Sequence, residues 1–415
     1  MTHAPEKKPV HVFTGYQKFV IALLAFLQFT IILDFMILSP LGAILMHDLS
    51  IPTAHFGWAV SIYAFSAGTS GLLAAGFADR FDRKKLLLFF YSGFILGTFL
   101  CGIAPNYPML LAARMVTGLF GGVVGSIAMA ISVDLFPLSV RGRVMGFIQA
   151  AFAASQVLGI PLGLYLSNLW GWHAPFLMIA GVGAAAGFAI MFYLRPVTAH
   201  LQLQAQPNPF RHLFHTVSKA RYLQGFAATT LLVTGGFMLM PFGSAFTVNN
   251  MGIPFHKLPT IYMVTGLFAI LVGPLAGKLS DNIGKYAVFC GGTILSMLMV
   301  FIYTHLGNTP LWLVIVVNVV LFIGVSSRMV PSQALMSAVP DAADRGAYMA
   351  VNASIQQFSG GIAAGLAGLI VVQTSTGKLE HYDILGYVVM GAMTLTMGML
   401  YFIHRSIQRR GFKTA

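Results

Sequence analysis

Residues 75–86 read AGFADRFDRKKL, six charges set between two long apolar runs at 56–78 and 86–104. Each run is near the ~20 residues that a helix needs to cross hydrocarbon, so the charged stretch reads as a short loop between two membrane spans. A second version stands at residues 277–286, GKLSDNIGKY, with Asp281 202 positions after Asp79. A further pair, Arg141-Gly142 and Arg345-Gly346, is offset by 204. Two sets of charged loops in register mark the chain as an internal duplication.

Composition agrees with a membrane solvent. Of 415 residues, 57% are hydrophobic and 8% charged, where a soluble globule carries about 25% charge. Apolar segments and turn signals give about twelve spans, and backbone groups in lipid must pair within their own segment, so the spans are helices. The fold expected is all-α and integral to the membrane, with twelve transmembrane helices in two six-helix halves. The net charge of +13 raises nucleic acid as a partner, but the basic residues sort by side. Loops around 80–85, 141–143, 195–221, 278–285 and Arg345, with both termini, hold twenty of the 24 Lys and Arg; the opposite loops hold Lys257 and Lys378. That asymmetry is the positive-inside bias. It places both termini and the central loop in the cytoplasm. The chain is expected to be a monomeric multi-pass protein of the bacterial inner membrane with no nucleic-acid partner. No signal peptide is evident, because residues 1–18 are polar and the first apolar run is a full span.

The spans fall near 17–45, 54–78, 86–104, 108–134, 143–168 and 173–194, then 222–249, 258–280, 285–306, 310–338, 345–373 and 383–405. Residues 1–194 form one half and 222–415 the other, joined by a basic cytoplasmic linker at 195–221. Cys101 and Cys290 lie inside apolar segments, where packing is the ordinary role of a lone cysteine. No H-E-x-x-H, P-loop or clustered metal ligands occur, so neither an enzyme nor a metal or cofactor site is expected.

Both charged loops resemble the G-x-L-A-D-R-x-G-R-K signature of the major facilitator superfamily of secondary transporters. The second copy keeps Gly277, Leu279, Asp281, Gly284 and Lys285; the first keeps Ala78, Asp79, Arg80, Arg83 and Lys84, with Ala75 and Asp82 in place of glycines. Arg114 with Gly118 resembles the family's fourth-span R-x-x-x-G, associated with proton transfer. Gly159, Pro161 and Gly163 in GIPLG resemble, in part, the helix-packing motif of the drug:proton antiporter branch, whose arabinose- and sugar-efflux-like members are the nearest pattern. The resemblance implies alternating access, with a substrate held near the midplane between halves that rock on small-residue seams. It also implies a gate of Asp79, Arg80, Arg83, Lys84, Asp134, Arg141 and Arg143, with Asp281, Lys285 and Arg345 in the second half. Asp82 adds an acid to that gate.

Three charges sit well inside spans: Asp34, Arg114 and Arg328. Each costs ~3 kcal/mol or more at a span centre, so each needs a reason. Shifted by 202–204 positions, none meets a charged counterpart in the other half, which favours function over shared architecture. Asp34 with Arg114 reads as a proton-coupling pair, or as a salt bridge holding the first and fourth spans together; Arg328 reads as a holder of an anionic or polar substrate group. Gln28, Tyr63, Gln149, Gln156, Asn249, Asn318, Gln333, Asn352 and Gln356 are candidate cavity residues, or interhelical glue. Gln149 and Gln156, seven apart, are expected on one face. The function expected is proton-coupled transport of a small molecule, driven by the proton gradient and running as an efflux antiporter. The alternative is a proton symporter importing an organic anion, since the three charges leave the core net positive.

Overall fold

A computed structural model describes residues 13–198, 201, 216–341 and 344–411. The chain is helical almost throughout. In order, the helices are α1 (Gly15–Ile37), α2 (Gly42–Asp48), α3 (Thr53–Phe77), α4 (Arg83–Gly102), α5 (Tyr107–Leu135), α6 (Leu138–Ala154), α7 (Ile160–Trp170), α8 (His173–Tyr193), α9 (Ala220–Asn249), α10 (Leu258–Ile283), α11 (Lys285–Thr304), α12 (Leu311–Ser337), α13 (Arg345–Ile370) and α14 (Tyr382–Gly411). Ten stretches among the described residues are long and apolar enough to cross a bilayer, with α6 and α7 counting as one. The other two long helices, α3 and α13, are rich in small and hydroxyl residues and lie against each other as the most extensive helix pair in the molecule.

Local chemistry starts the helices. Thr14 opens α1 with a capping box: its hydroxyl accepts from the Gln17 N–H at 3.2 Å, and Gln17 Oε1 accepts from the Thr14 N–H at 3.0 Å. Such reciprocal caps satisfy backbone donors that the first turn leaves unpaired. Asn106 does the same for α5, accepting from the Met109 N–H at 3.0 Å.

The duplicated loops make one turn by two devices. Gly284, between α10 and α11, sits at φ +103°, a conformation glycine adopts without steric cost. At the matching position Asp82 has φ −56° and caps α4 instead, its carboxylate accepting from the Lys84 N–H at 2.9 Å. The same oxygen accepts from the Val197 N–H at 3.0 Å, tying the chain after α8 to this loop. The expected extra gate acid serves here as a helix cap: the non-helical backbone at Asp82 aims its carboxylate at the first amides of α4.

Helices α1–α8 pack into one group and α9–α14 into another, joined by α3 on α13 and by the α6–α7 span on α10. The two ends of the bundle differ. At the end away from the termini, one apolar core runs through both groups, from Leu33, Ile37, Phe56 and Phe176 to Phe242, Phe246, Ala364 and Tyr382. At the termini end the core divides. One cluster, including Val20, Leu87, Phe94, Ile127 and Ile190, belongs to the first half, and another, including Tyr222, Phe289, Leu335 and Tyr348, has its buried members in the second. The halves are therefore welded at the far end, while toward the termini their buried cores are distinct and Leu72 of α3 rests against the second-half cluster. A two-strand hairpin completes the far end: Val372–Gln373 pairs antiparallel with Leu379–Glu380, and Asn250 brackets Leu379 through its N–H and C=O at 2.9 and 2.8 Å.

Candidate functional site

Near the far end of α1, Asp34 meets Arg114 of α5. Arg114 Nη1 donates to Asp34 Oδ2 at 2.8 Å and lies 3.3 Å from the Asp34 backbone oxygen, and both side chains are 0% exposed. Thr98 of α4 donates to the other carboxylate oxygen at 3.1 Å. The guanidinium stacks over the Tyr63 ring of α3, 4.5 Å from its centroid, a contact that a desolvated cation gains from the ring quadrupole. Four helices thus converge on one ion pair. Gly118 explains how α5 comes so close: a Cβ there would stand 2.4 Å from the Tyr63 carbonyl oxygen.

The residues flanking Asp34 seat the GIPLG stretch. A Cβ at Gly159 would lie 2.7 Å from Leu33, and one at Gly163 2.8 Å from Ile37. Just before the proline, Ser155–Gly159 forms a π-turn, the wider coil that a helix adopts where its regular ladder is interrupted. Pro161 has no N–H to donate, and the interruption precedes it. The Ser155 hydroxyl lies 3.1 Å from the Phe29 backbone oxygen of α1. On its opposite side the π-turn touches the second half, where a Cβ at Gly266 of α10 would meet the backbone at Gln156 and Val157 at 3.1 Å.

The α3–α13 seam is closer still. A Cβ at Gly57 would lie 2.8 Å from the Ala364 carbonyl, and one at Gly368 2.8 Å from the Thr53 carbonyl. Thr53 Oγ1 donates to the Val371 carbonyl at 2.5 Å and Ser61 Oγ to the Gly361 carbonyl at 2.7 Å. A ring chain runs from the ion pair across this boundary: Tyr63 to Phe35 at 5.1 Å, then Phe35 to Phe237 of α9 at 5.7 Å between centroids. Phe35 follows Asp34 directly, so a shift of α1 at the carboxylate is a shift at the half-to-half contact.

A family model described as Major Facilitator Superfamily matches residues 24–364 and, separately, residues 225–414. The chain belongs to the major facilitator superfamily. Among curated proteins, it is 29% identical to the uncharacterized MFS-type transporter YceJ of Bacillus subtilis over 65% of this chain and 68% of that one. It is 32% identical to multidrug resistance protein 3 of the same organism over 35% of this chain and 28% of that one. Among solved structures, a bacterial homolog of the human lysosomal transporter Spinster superposes with a TM-score of 0.72 at 15% identity, covering 94% of this chain and 96% of that chain. The protein is a multi-pass membrane transporter and not an enzyme.

The transporter's charged loops hold the gate residues in one half at a time. Arg83, at the start of α4, donates from Nε to Asp134 at the end of α5 at 3.3 Å and from Nη1 to the Ala78 carbonyl at 3.2 Å. Arg141 donates to the Phe136 and Val133 carbonyls at 2.9 and 2.7 Å, closing the end of α5, and Arg143 lies over the Phe13 ring. Lys84 Nζ donates to the Met191 carbonyl at 2.9 Å, and Arg80 is exposed. Asp281 and Lys285 are exposed and form no ion pair among the described residues. The side chains of Asp79 and Arg345 lie outside the described residues.

The second half instead gathers Lys219, Arg221 and Tyr222 around Asp341 and Asp344. Lys219 and Tyr222 both donate to Asp344 Oδ2, Tyr222 at 2.7 Å, while Arg221 donates to Asp341 at 3.2 Å. The Asp344 hydrogen bond holds the Lys219 ammonium above its ordinary pKa. Sequence reasoning missed both aspartates; their signal is the pair of acids in VPDAADRG facing a basic helix start. Among the described residues, each ion pair joins groups of a single half.

The candidate cavity residues scatter more widely. Asn352 accepts from Thr229 at 2.7 Å, bonding α13 to α9, and Asn318 turns its amide onto the Val314 carbonyl of its own helix at 2.9 Å. Gln149 is exposed whereas Gln156 is buried. The two differ in burial because Gln156 lies where the π-turn meets Gly266 of the second half, whereas Gln149 lies nearer the termini end. Asn249 and Gln356 are half-buried and Gln333 is exposed. Gln28 faces Gly125 of α5 with its Oε1 buried and without a hydrogen-bond partner among the described residues.

Proposed function

We propose that this transporter exchanges protons for a small molecule by alternating access and exports its substrate, with Asp34 as the proton-carrying group. The observation that carries the reading is the fully buried Asp34–Arg114 pair. In a low-dielectric site a carboxylate is held charged by its cation partner and penalised by desolvation, so one proton changes the balance. Protonation removes the charge that compensates Arg114 and leaves a buried cation, a state several kcal/mol less favourable unless the helices rearrange. The rearrangement has a path: Leu33 and Ile37 against the GIPLG glycines, and Phe35 against Tyr63 and Phe237. Proton loading then biases a two-state equilibrium of the halves.

With the termini in the cytoplasm, as the distribution of Lys and Arg supports, the weld at the far end corresponds to an inward-open state. The gate residues Asp79, Arg83, Asp134, Arg141 and Arg143 would then latch the halves in the opposite state. The partial antiporter motif and the multidrug-resistance relative support export. A proton symporter importing an organic anion is the second reading, favoured by Arg328, whose buried charge faces no carboxylate within the spans of its own half.

The test uses proteoliposomes carrying an internal pH dye and an imposed gradient, challenged with ethidium and with a set of organic acids. Wild-type protein is expected to dissipate the gradient when its substrate is added. Asp34→Asn is expected to retain binding and lose proton-linked uphill transport. Unchanged uphill transport by the variant would remove Asp34 from the coupling role.

A further inference from the structure

Arg328 is the buried charge the ion pair does not use. It stands on α12 with 2% of its surface exposed, and its Nε and Nη2 find no hydrogen-bond partner among the described residues. The acids of the second half are Asp281, Asp341, Asp344, Glu380 and Asp383, all at helix ends or in loops, and the buried carboxylate of the first half, Asp34, is held by Arg114. Nor can the side chain be carried outward by a loose helix. A Cβ at Gly292 of α11 would lie 2.8 Å from the Arg328 backbone nitrogen, and one at Gly324, a turn earlier, 2.6 Å from the Ser296 hydroxyl. Backbone contact with α11 fixes this part of α12, and Gly235 of α9 lies on the Nη1 side of the guanidinium, where a Cβ would come 3.6 Å from Nη1.

A desolvated cation without a partner costs several kcal/mol, and such residues in spans face each other, backbone carbonyls or a solute path. The first two are not found at Nε and Nη2. Those two nitrogens form one edge of the planar fork, the edge that matches both oxygens of a carboxylate with parallel hydrogen bonds. The repeat adds a second feature. Subtracting 203 from 328 gives 125, and Gly125 is the residue that Gln28 faces with its own unpartnered Oε1. Equivalent positions of the fourth and tenth spans thus adjoin, among the described residues, an unpartnered guanidinium edge in one half and an unpartnered amide oxygen in the other.

We infer that Arg328 anchors the carboxylate of a small organic acid through its unpartnered Nε and Nη2 edge. The substrate class is a monocarboxylate. The inference rests on the transport reading above and holds for either direction of transport.

The test is thermal unfolding of the full chain in neutral detergent, with wild type, Arg328→Met and Arg328→Lys. The probes are salicylate, nicotinate and lactate, each compared with its own carboxamide, and tetraphenylphosphonium as a cation. Without probe, Arg328→Met is expected to melt above the wild type, since it removes an uncompensated charge. At least one carboxylate is expected to raise the wild-type midpoint saturably where its amide does not. That shift should vanish in Arg328→Met and persist in weakened form in Arg328→Lys. A lower midpoint for Arg328→Met would make the guanidinium structural and overturn the inference. So would a panel in which no carboxylate outperforms its amide, stabilisation by the cation alone, or a carboxylate shift that survives in Arg328→Met. Proton coupling is read separately through Asp34→Asn, so either conclusion can fail while the other stands.

Discussion

Replacing Asp34 by Asn should destabilise the transporter, and the size of the loss follows from the site. Charges 2.8 Å apart attract by about 6 kcal/mol at an effective dielectric of 20. Removing one member of a fully buried pair typically costs 3–5 kcal/mol, because the survivor stays buried and uncompensated. Arg114 has little else to fall back on. Its Nε and Nη2 have no hydrogen-bond partner among the described residues, and Tyr63 offers a cation–π contact of about 2 kcal/mol at most. A net loss near 3 kcal/mol is expected for Asp34→Asn and a similar one for Arg114→Met. The double variant Asp34→Asn/Arg114→Met buries no charge and should recover most of the loss, giving a coupling energy of about 2–3 kcal/mol in a double-mutant cycle. Thermal unfolding in detergent, followed by intrinsic fluorescence, reads all four proteins. Additive losses would refute the reasoning, because independent sites add. A double variant that regains stability but not transport would show that the pair both holds α1 to α5 and serves in coupling.

Two further outcomes follow from the helix ends and seams. Asp82→Ala should lose about 1 kcal/mol as a missing N-cap, and Asp82→Gly only a few tenths; equal losses in thermal unfolding would count against the capping role. Gly368→Ala forces a methyl to within 2.8 Å of the Thr53 carbonyl and should loosen the far-end weld, measured as faster thiol labelling of a cysteine placed at Ala364; unchanged labelling would mean that the seam yields without opening.

The architecture and the ion pair were legible for the same reason: hydrocarbon penalises polar groups so strongly that their positions carry information. Charged loops in register gave the duplication, and Asp34 and Arg114 stood out because a span seldom tolerates either alone. The small residues of the α3–α13 seam were harder to read. A glycine permits close approach but does not name its partner, so Gly57 on Gly368 and Gly118 on Tyr63 emerged only from packing. Thr98 was missed because a threonine in a span costs little and gives no signal. The capping by Asp82 was not legible, since it depends on the backbone at that residue and not on charge count. Asp341 and Asp344 carried no comparable signal, because VPDAADRG lies outside the signature loop that holds Asp281, which forms no ion pair among the described residues.

The π-turn at Ser155–Gly159 acts as a change of phase within one continuous rod. A regular helix advances 100° per residue, so the faces it shows above and below any point are locked together. The wider coil breaks that lock and lets the span be set at two angles, with Gln156 and Val157 turned to Gly266 of the other half and Gly159 and Gly163 turned to Leu33 and Ile37 beside the carboxylate. Winding or unwinding this one coil would rotate one face against the other like a clutch between two shafts. A single span in this way touches both α1 beside Asp34 and the partner half, on faces that its two segments set separately.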